Sequence, residues 1–145
     1  MMLVRVIGVL LILLMFSCSQ NKPEQLPYKL VFDQEYRLTH IGSRHVSAEK
    51  APMIVFKEGD KITGNSGCNS YLSSYKLEKN SITIQPPATT MMACFGDVMQ
   101  QEITYIQMLP TMIRYEIDKE RRLVLYPASG KLLAFTPILK NVKDK

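Results

Sequence analysis

The chain opens on an apolar run and then changes to short alternating segments, with one switch of period near its middle. Val6 to Phe16 carries no charge and is preceded by a single basic residue, Arg5. A run of roughly 10–14 apolar residues is short for a membrane span, which needs ~20. A basic start, a short apolar stretch and a small residue, Ser17, before the cut describe a secretory signal. Beyond it, Tyr28–Phe32, Tyr36–His40, Met53–Phe56, Lys61–Gly64, Cys68–Leu77 and Ser81–Ile84 alternate as strands do. Glu58-Gly59-Asp60 and Glu78-Lys79-Asn80 turn the chain between pairs of them. Gly42 to Pro52 is polar and reads as a loop, and Pro86-Pro87 stops the sheet because proline cannot donate to a ladder.

The period changes between Asp97 and Leu109. Met99, Ile103 and Ile106 recur at steps of four and three, and Leu109 closes the stripe. This predicts an amphipathic helix of about three turns packed through the Met99/Ile103/Ile106 face. Asp97 is its expected N-cap, Gln100 holds the capping-box position and Pro110 marks its end. Strands resume at Met112–Ile117, Leu123–Tyr126 and Lys131–Phe135. Short strands with a single helix among them must pair antiparallel, since parallel crossovers need a long connection at each step. The expected fold is α+β and β-rich: an antiparallel sheet of roughly eight short strands curled into a barrel-like form, with one packed helix.

Met15-Phe16-Ser17-Cys18 resembles the bacterial lipobox, in which the cysteine thiolate takes up diacylglycerol. Residues 1–17 then read as a lipoprotein signal peptide, 18–27 as a polar tether, 28–138 as one domain and 139–145 as a basic tail. Lipidation at Cys18 places the protein in the cell envelope, with the membrane as a partner through the lipid anchor. Ser19, rather than Asp, after the cysteine favours the outer membrane.

The full chain holds 18 Lys+Arg against 13 Asp+Glu, a net charge of +5 that becomes +4 once Arg5 leaves with the signal. The cations are scattered, with small groups at Lys119–Arg122 and in the tail, and are not interleaved with aromatics as a nucleic-acid surface requires. Once Cys18 is lipidated, Cys68 and Cys94 remain. An exported pair reads first as a disulfide, and second as two separate buried thiols. A redox-active pair lacks its Cys-x-x-Cys spacing.

Gly64-Asn65-Ser66-Gly67-Cys68-Asn69, followed by Tyr71 and Tyr75, resembles the G-x-x-G-C-N-x-Y signature of the META domain (HslJ-like) family. Thr90-Met91-Met92-Ala93-Cys94 is similar to that family's T-x-M-A-C motif, and Glu102 fits its helix. Tyr36 stands where Trp is frequent, Ser73 where Gly is frequent, and Met91 where a basic or polar residue is common. The resemblance implies a small β-rich domain with one helix, often exported, sometimes lipid-anchored and linked to stress tolerance. It brings no reaction and no cofactor.

Catalytic chemistry finds little footing in the residues. Gly64-Asn65-Ser66-Gly67 superficially matches G-x-S-x-G, but Cys68 stands where the last glycine belongs. Only His40 and His45 could serve as a histidine base. Met91, Met92, Met99, Met108 and Met112 could offer soft ligands to copper, although methionine is a common core filler. Glu102 reads as a structural acceptor for a strand or for the Gly64–Cys68 turn, or else as a general base without a partner acid. Gly64 and Gly67 permit positive φ or close backbone approach, and Asn65 and Asn69 can bond nearby amides. The corner is thus either a structural clamp or the rim of a binding surface. The favoured function is a non-catalytic envelope module that binds an envelope protein, an apolar ligand or a cell-wall component. The alternative is an envelope hydrolase or thiol oxidoreductase using the Gly64–Cys68 turn.

Overall fold

The computed structural model describes residues 28–139. The expected signal peptide, Cys18, the expected tether and nearly all of the expected basic tail therefore lie outside the described residues. Within them the strands are β1 (Glu35–Ile41), β2 (Arg44–His45), β3 (Met53–Lys57), β4 (Lys61–Asn65) and β5 (Ser70–Glu78). They continue with β6 (Ser81–Ile84), β7 (Ala88–Thr89), β8 (Met112–Ile117), β9 (Leu123–Pro127) and β10 (Leu133–Pro137). The helix α1 (Asp97–Met108) runs between β7 and β8 and ends in a 3-10 turn at Leu109–Thr111.

The strands pair antiparallel in the order β1-β3-β4-β5-β6-β8-β9-β10, and β10 returns to β1 with Leu38 opposite Phe135. The result is a closed eight-stranded barrel, the size at which side chains alone fill the interior. Two short strands sit outside the ring: β2 pairs with the end of β1, and β7 with the start of β5. The thinnest seam is between β6 and β8, which share only the Ser81–Arg114 pair, supported by Tyr115 N donating to Asn80 O at 3.0 Å.

Alternation selects the core. In β5, Tyr71, Ser73 and Tyr75 point inward and Leu72 outward. Ile54, Phe56, Ile62, Leu123, Leu125, Leu133 and Phe135 complete the interior, with Phe56 and Tyr75 in an edge-to-face contact at 5.0 Å. Ser73, which stands where a glycine was expected to be common, donates its hydroxyl to Gln85 O at 2.6 Å and so sits inside without an orphan group.

Three expectations need correction. Tyr28–Phe32 is not a strand; the segment turns at Phe32–Asp33, leaving Val31 and Phe32 exposed. Barrel closure is the reason, because β1 already has β3 and β10 on its two sides and offers no free edge. The Gly42–Pro52 loop contains β2 and a 3-10 turn at Ala48–Lys50.

The third correction concerns α1. Its N-cap is Gly96, with no side-chain cap bond, and Asp97 is the first helical residue. The inward stripe is Glu102, Tyr105 and then Leu109, with Ile106 of the expected face packed against the core beside it, while Ile103 is 43% exposed. A hydrophobic stripe could not register a buried carboxylate. With Glu102 and Tyr105 turned inward, Ile103, one residue on from Glu102, is carried ~100° around the helix. Tyr105 is fully buried and meets Tyr71 and Phe135 edge-on, at 5.8 and 6.3 Å between centroids.

The orientation of α1 sets a ranking for urea denaturation. Tyr105→Ala should lower the unfolding free energy by about 3–5 kcal/mol, as aromatic truncation in a core does. Ile103→Asp should change it by less than ~1 kcal/mol, because the new charge meets solvent. The reverse ranking would refute this placement of the helix.

Candidate functional site: the clamped corner between β4 and β5

The corner begins with a close approach. Gly64 lies opposite Tyr71 in the β4–β5 ladder, and a Cβ there would stand 2.6 Å from two atoms of the tyrosine ring and collide with Met53 O. Glycine thus lets the Tyr71 ring cross β4. Its hydroxyl then donates to Met53 O at 3.1 Å and lies 2.7 Å from the Tyr105 hydroxyl. Burial pushes both phenols well above the ordinary tyrosine range, so both remain neutral donors.

Gly67 has the other reason for glycine. Its φ is +113°, and a Cβ would come within 2.9 Å of Lys50 O. Asn65 Oδ1 accepts from Gly67 N at 2.8 Å, an Asx turn that tightens the bend. Gln101 Nε2 donates to Lys50 O at 2.8 Å, tying α1 to the loop before β3.

Asn69 uses its whole amide. Oδ1 accepts from Thr90 Oγ1 and from Met92 N, both at 2.7 Å. Nδ2 donates to Met92 O at 3.1 Å and to Glu102 Oε1 at 2.6 Å. The roles in Thr90–Cys94 follow directly. Thr90 supplies a hydroxyl, Met92 supplies its backbone, and Cys94 supplies sulfur. Cys68 and Cys94 form a disulfide with Cα atoms 6.1 Å apart, so the pair is neither two separate thiols nor a free reagent. On the loop-closure model such a bond contributes about 3.5 kcal/mol.

Glu102 is the centre. Its Oε2 accepts from Ser66 Oγ at 2.5 Å, Asn69 N at 2.8 Å and Cys68 N at 3.3 Å, while Oε1 takes the Asn69 amide. Burial raises the carboxyl pKa, but the bonds from Ser66, Asn69 and Cys68 outweigh it and hold the group below the ordinary glutamate range. No cation pairs with it among the described residues; the neutralising partners are dipoles.

The structure therefore brings Gly64, Gly67, Cys68, Asn69, Tyr71, Thr90, Met92, Cys94 and Glu102 to one corner, with Ala93 on the exposed loop beside it. Sequence reasoning missed two partners. Ser66 was legible only as a false nucleophile, and Tyr105 carried no signal beyond an aromatic in a helix. His40 and His45 lie elsewhere, on β1 and β2, 5.2 Å from one another. Ser66 is fully buried, and the grooves lined by Tyr28 and Arg122 and by Arg37 and Ile138 do not include the corner. The five methionines do not share an environment: Met91 is exposed and Met112 is buried in the core. Chemically, the arrangement fixes a carboxylate in its charged form and a loop in one conformation.

The META domain profile matches residues 29–138. The chain belongs to the META domain family. The solved NMR structure of a protein from Burkholderia xenovorans superposes with a TM-score of 0.67 at 21% identity, covering 79% of this chain and 92% of that one. A second NMR structure is 25% identical with a TM-score of 0.57, over 71% of this chain and 87% of the other. Both share the fold described above. Among curated proteins none matches the chain.

The Glu102 cluster generates a pH prediction. Its carboxyl titrates lower in the folded chain than in the unfolded one, so its contribution is fully present above the ordinary glutamate pKa of ~4.3. Below that, the unfolded chain binds the proton first and stability falls as pH drops through the folded pKa. Glu102→Gln should lose about 3 kcal/mol at neutral pH, since its amide would face donors, and should flatten this acid slope. Asp118 will leave a residual slope; burial raises its carboxyl, but bonds from Arg122 hold it low. Denaturant titrations between about pH 3 and 7 measure both, and an unchanged slope in Glu102→Gln would refute the assignment.

Proposed function

We propose that this META-domain protein is a lipid-anchored, non-catalytic module of the cell envelope that binds a partner protein through an apolar tip beside the clamped corner. One observation carries the reading. Met91, Met92 and Phe95 are 98%, 58% and 91% exposed, on a segment whose backbone is held by Asn69 at Met92 and by the disulfide at Cys94. Large apolar side chains displayed together on a rigid support mark an interaction surface. Exposure of this degree suits a protein face rather than a small apolar molecule, which prefers a concave pocket.

Support for the anchor is the Met15–Cys18 string, and Ser19 favours the outer membrane. Support for binding over chemistry is the state of the corner: Ser66 is buried, the cysteines are bonded to one another, and Glu102 is held charged by donors. The hydrolase alternative rests on the 2.5 Å Ser66–Glu102 contact alone. The family's link to stress tolerance gives the module its physiological setting.

Two experiments test these parts separately. Cys18→Ala should yield a protein that lacks the acyl mass and no longer partitions with membranes; unchanged mass and partitioning would overturn the anchor. In cross-linked envelope extracts, a Met91→Ser/Phe95→Ser variant should lose a captured partner by tenfold or more while melting as the wild type. A Leu72→Ser control, exposed on β5, should keep that partner. Equal capture by all three chains would overturn the tip.

A further inference from the structure

A second surface lies at the opposite end of β5. There the start of the described chain, the β5–β6 turn and the β8–β9 turn enclose an open groove of about 960 Å³. Tyr28 and Tyr115 line it with five cations and three acids. The acids are taken up by the arginines: Arg114 pairs with Glu116, and Arg122 with Asp118 and Glu120. Lys29, Lys79 and Lys119 are left with no carboxylate within ion-pair distance among the described residues, and all three are exposed. The groove thus carries a net charge of +2, with three exposed ammonium groups set beside two tyrosines.

We propose that this groove is a membrane-facing surface that docks on anionic phospholipid headgroups, holding the domain in one orientation on its own bilayer. The proposal rests on the lipid-anchor reading above. Its argument is one of position. Tyr28 and Lys29 belong to the groove, and Cys18 is ten residues before Tyr28. Fully extended, that length reaches about 35 Å, so the anchored chain enters the domain at this face and within reach of the bilayer, where the charge of the groove can select the orientation. Lysines near a surface of the opposite sign gain electrostatically within a Debye length. Tyrosine is the residue type that settles at the headgroup level. β5 runs from Ser70, next to the Asn69 clamp, to Glu78, next to Lys79, a rise of about 26 Å. Docking by the groove therefore presents the apolar tip away from the membrane.

The test uses the mature, full chain reconstituted in vesicles of phosphatidylcholine alone or with roughly a third phosphatidylglycerol. Lysines are labelled with a water-soluble amine reagent and read by peptide mass spectrometry. Lys29, Lys79 and Lys119 should be protected several-fold in the anionic vesicles, with the protection lost in high salt. Lys50, at the clamped corner, should label equally in both. A Lys79→Glu/Lys119→Glu variant should return Lys29 to full reactivity. The Cys18 peptide mass reads the anchor independently. An acylated chain with equal labelling of the three lysines in both vesicles would overturn the groove alone. A chain without acyl mass would overturn the anchor, and its salt-sensitive cosedimentation with the anionic vesicles would then decide the groove, absence refuting it. Equal protection by inorganic phosphate without vesicles would assign the groove to a free anion and also overturn the proposal.

Discussion

A single buried carboxylate organises this fold. Glu102 sits on the inner face of α1 without a cation among the described residues, and its charge is met by one hydroxyl, one side-chain amide and two backbone N–H groups from Ser66–Asn69. An isolated charge at that depth would take up a proton instead; fixed donors remove the need. The consequence is mutual. The helix cannot rotate or withdraw without leaving those donors bare, and the corner cannot relax without leaving the carboxylate bare. The Tyr71–Tyr105 hydroxyl pair repeats the same link one helical turn on, in a drier setting.

Asn69 extends the constraint to a second segment. Its Nδ2 reaches both Glu102 and Met92 O, and its Oδ1 holds Thr90 and Met92 N. The disulfide then fixes the chain two residues further, at Cys94. Hydrogen bonds and a covalent bond thus hold the same short loop from two sides. This redundancy explains how Met91 and Phe95 can stand in solvent on a segment that has little regular structure of its own. Apolar side chains on a mobile loop would collapse onto the surface; on a clamped loop they remain displayed.

Legibility in the sequence followed the physics of each feature. Strand positions were readable because alternation reports a half-buried pleat, and β3, β4, β6, β8 and β9 match it to within a residue or so at each end. The corner was readable as a family motif, and positive φ or close approach was expected of its two glycines without saying which; the structure puts close approach at Gly64 and positive φ at Gly67. Helix existence was readable, and Ile106 and Leu109 of its expected face do meet the core, but its rotation was off at Ile103, because Glu102 counts as polar in any periodicity and is buried here. Tyr28–Phe32 failed for a topological reason: a segment can alternate like a strand and still find no edge once the barrel has closed. Glu102 was readable as an acceptor for the Gly64–Cys68 turn, but the Ser66 hydroxyl as a donor within it was not, since 36 residues separate them and only the fold brings them together.

The closed barrel also separates two kinds of surface that the composition blends. At one end the cations outnumber their carboxylates, and at the other methionine and phenylalanine side chains stand exposed beside the clamp. Between them β5 is the common axis, its first residues bonded to the clamp and its last leading into the lysine-bearing turn. A closed ring of eight strands deforms little along that axis, because bending one strand disturbs ladders on both sides. Orientation imposed at the charged end is therefore transmitted as orientation at the apolar end. On the proposed anchoring, the barrel serves as a rigid spacer, and the Glu102 cluster sets what the far end of that spacer presents.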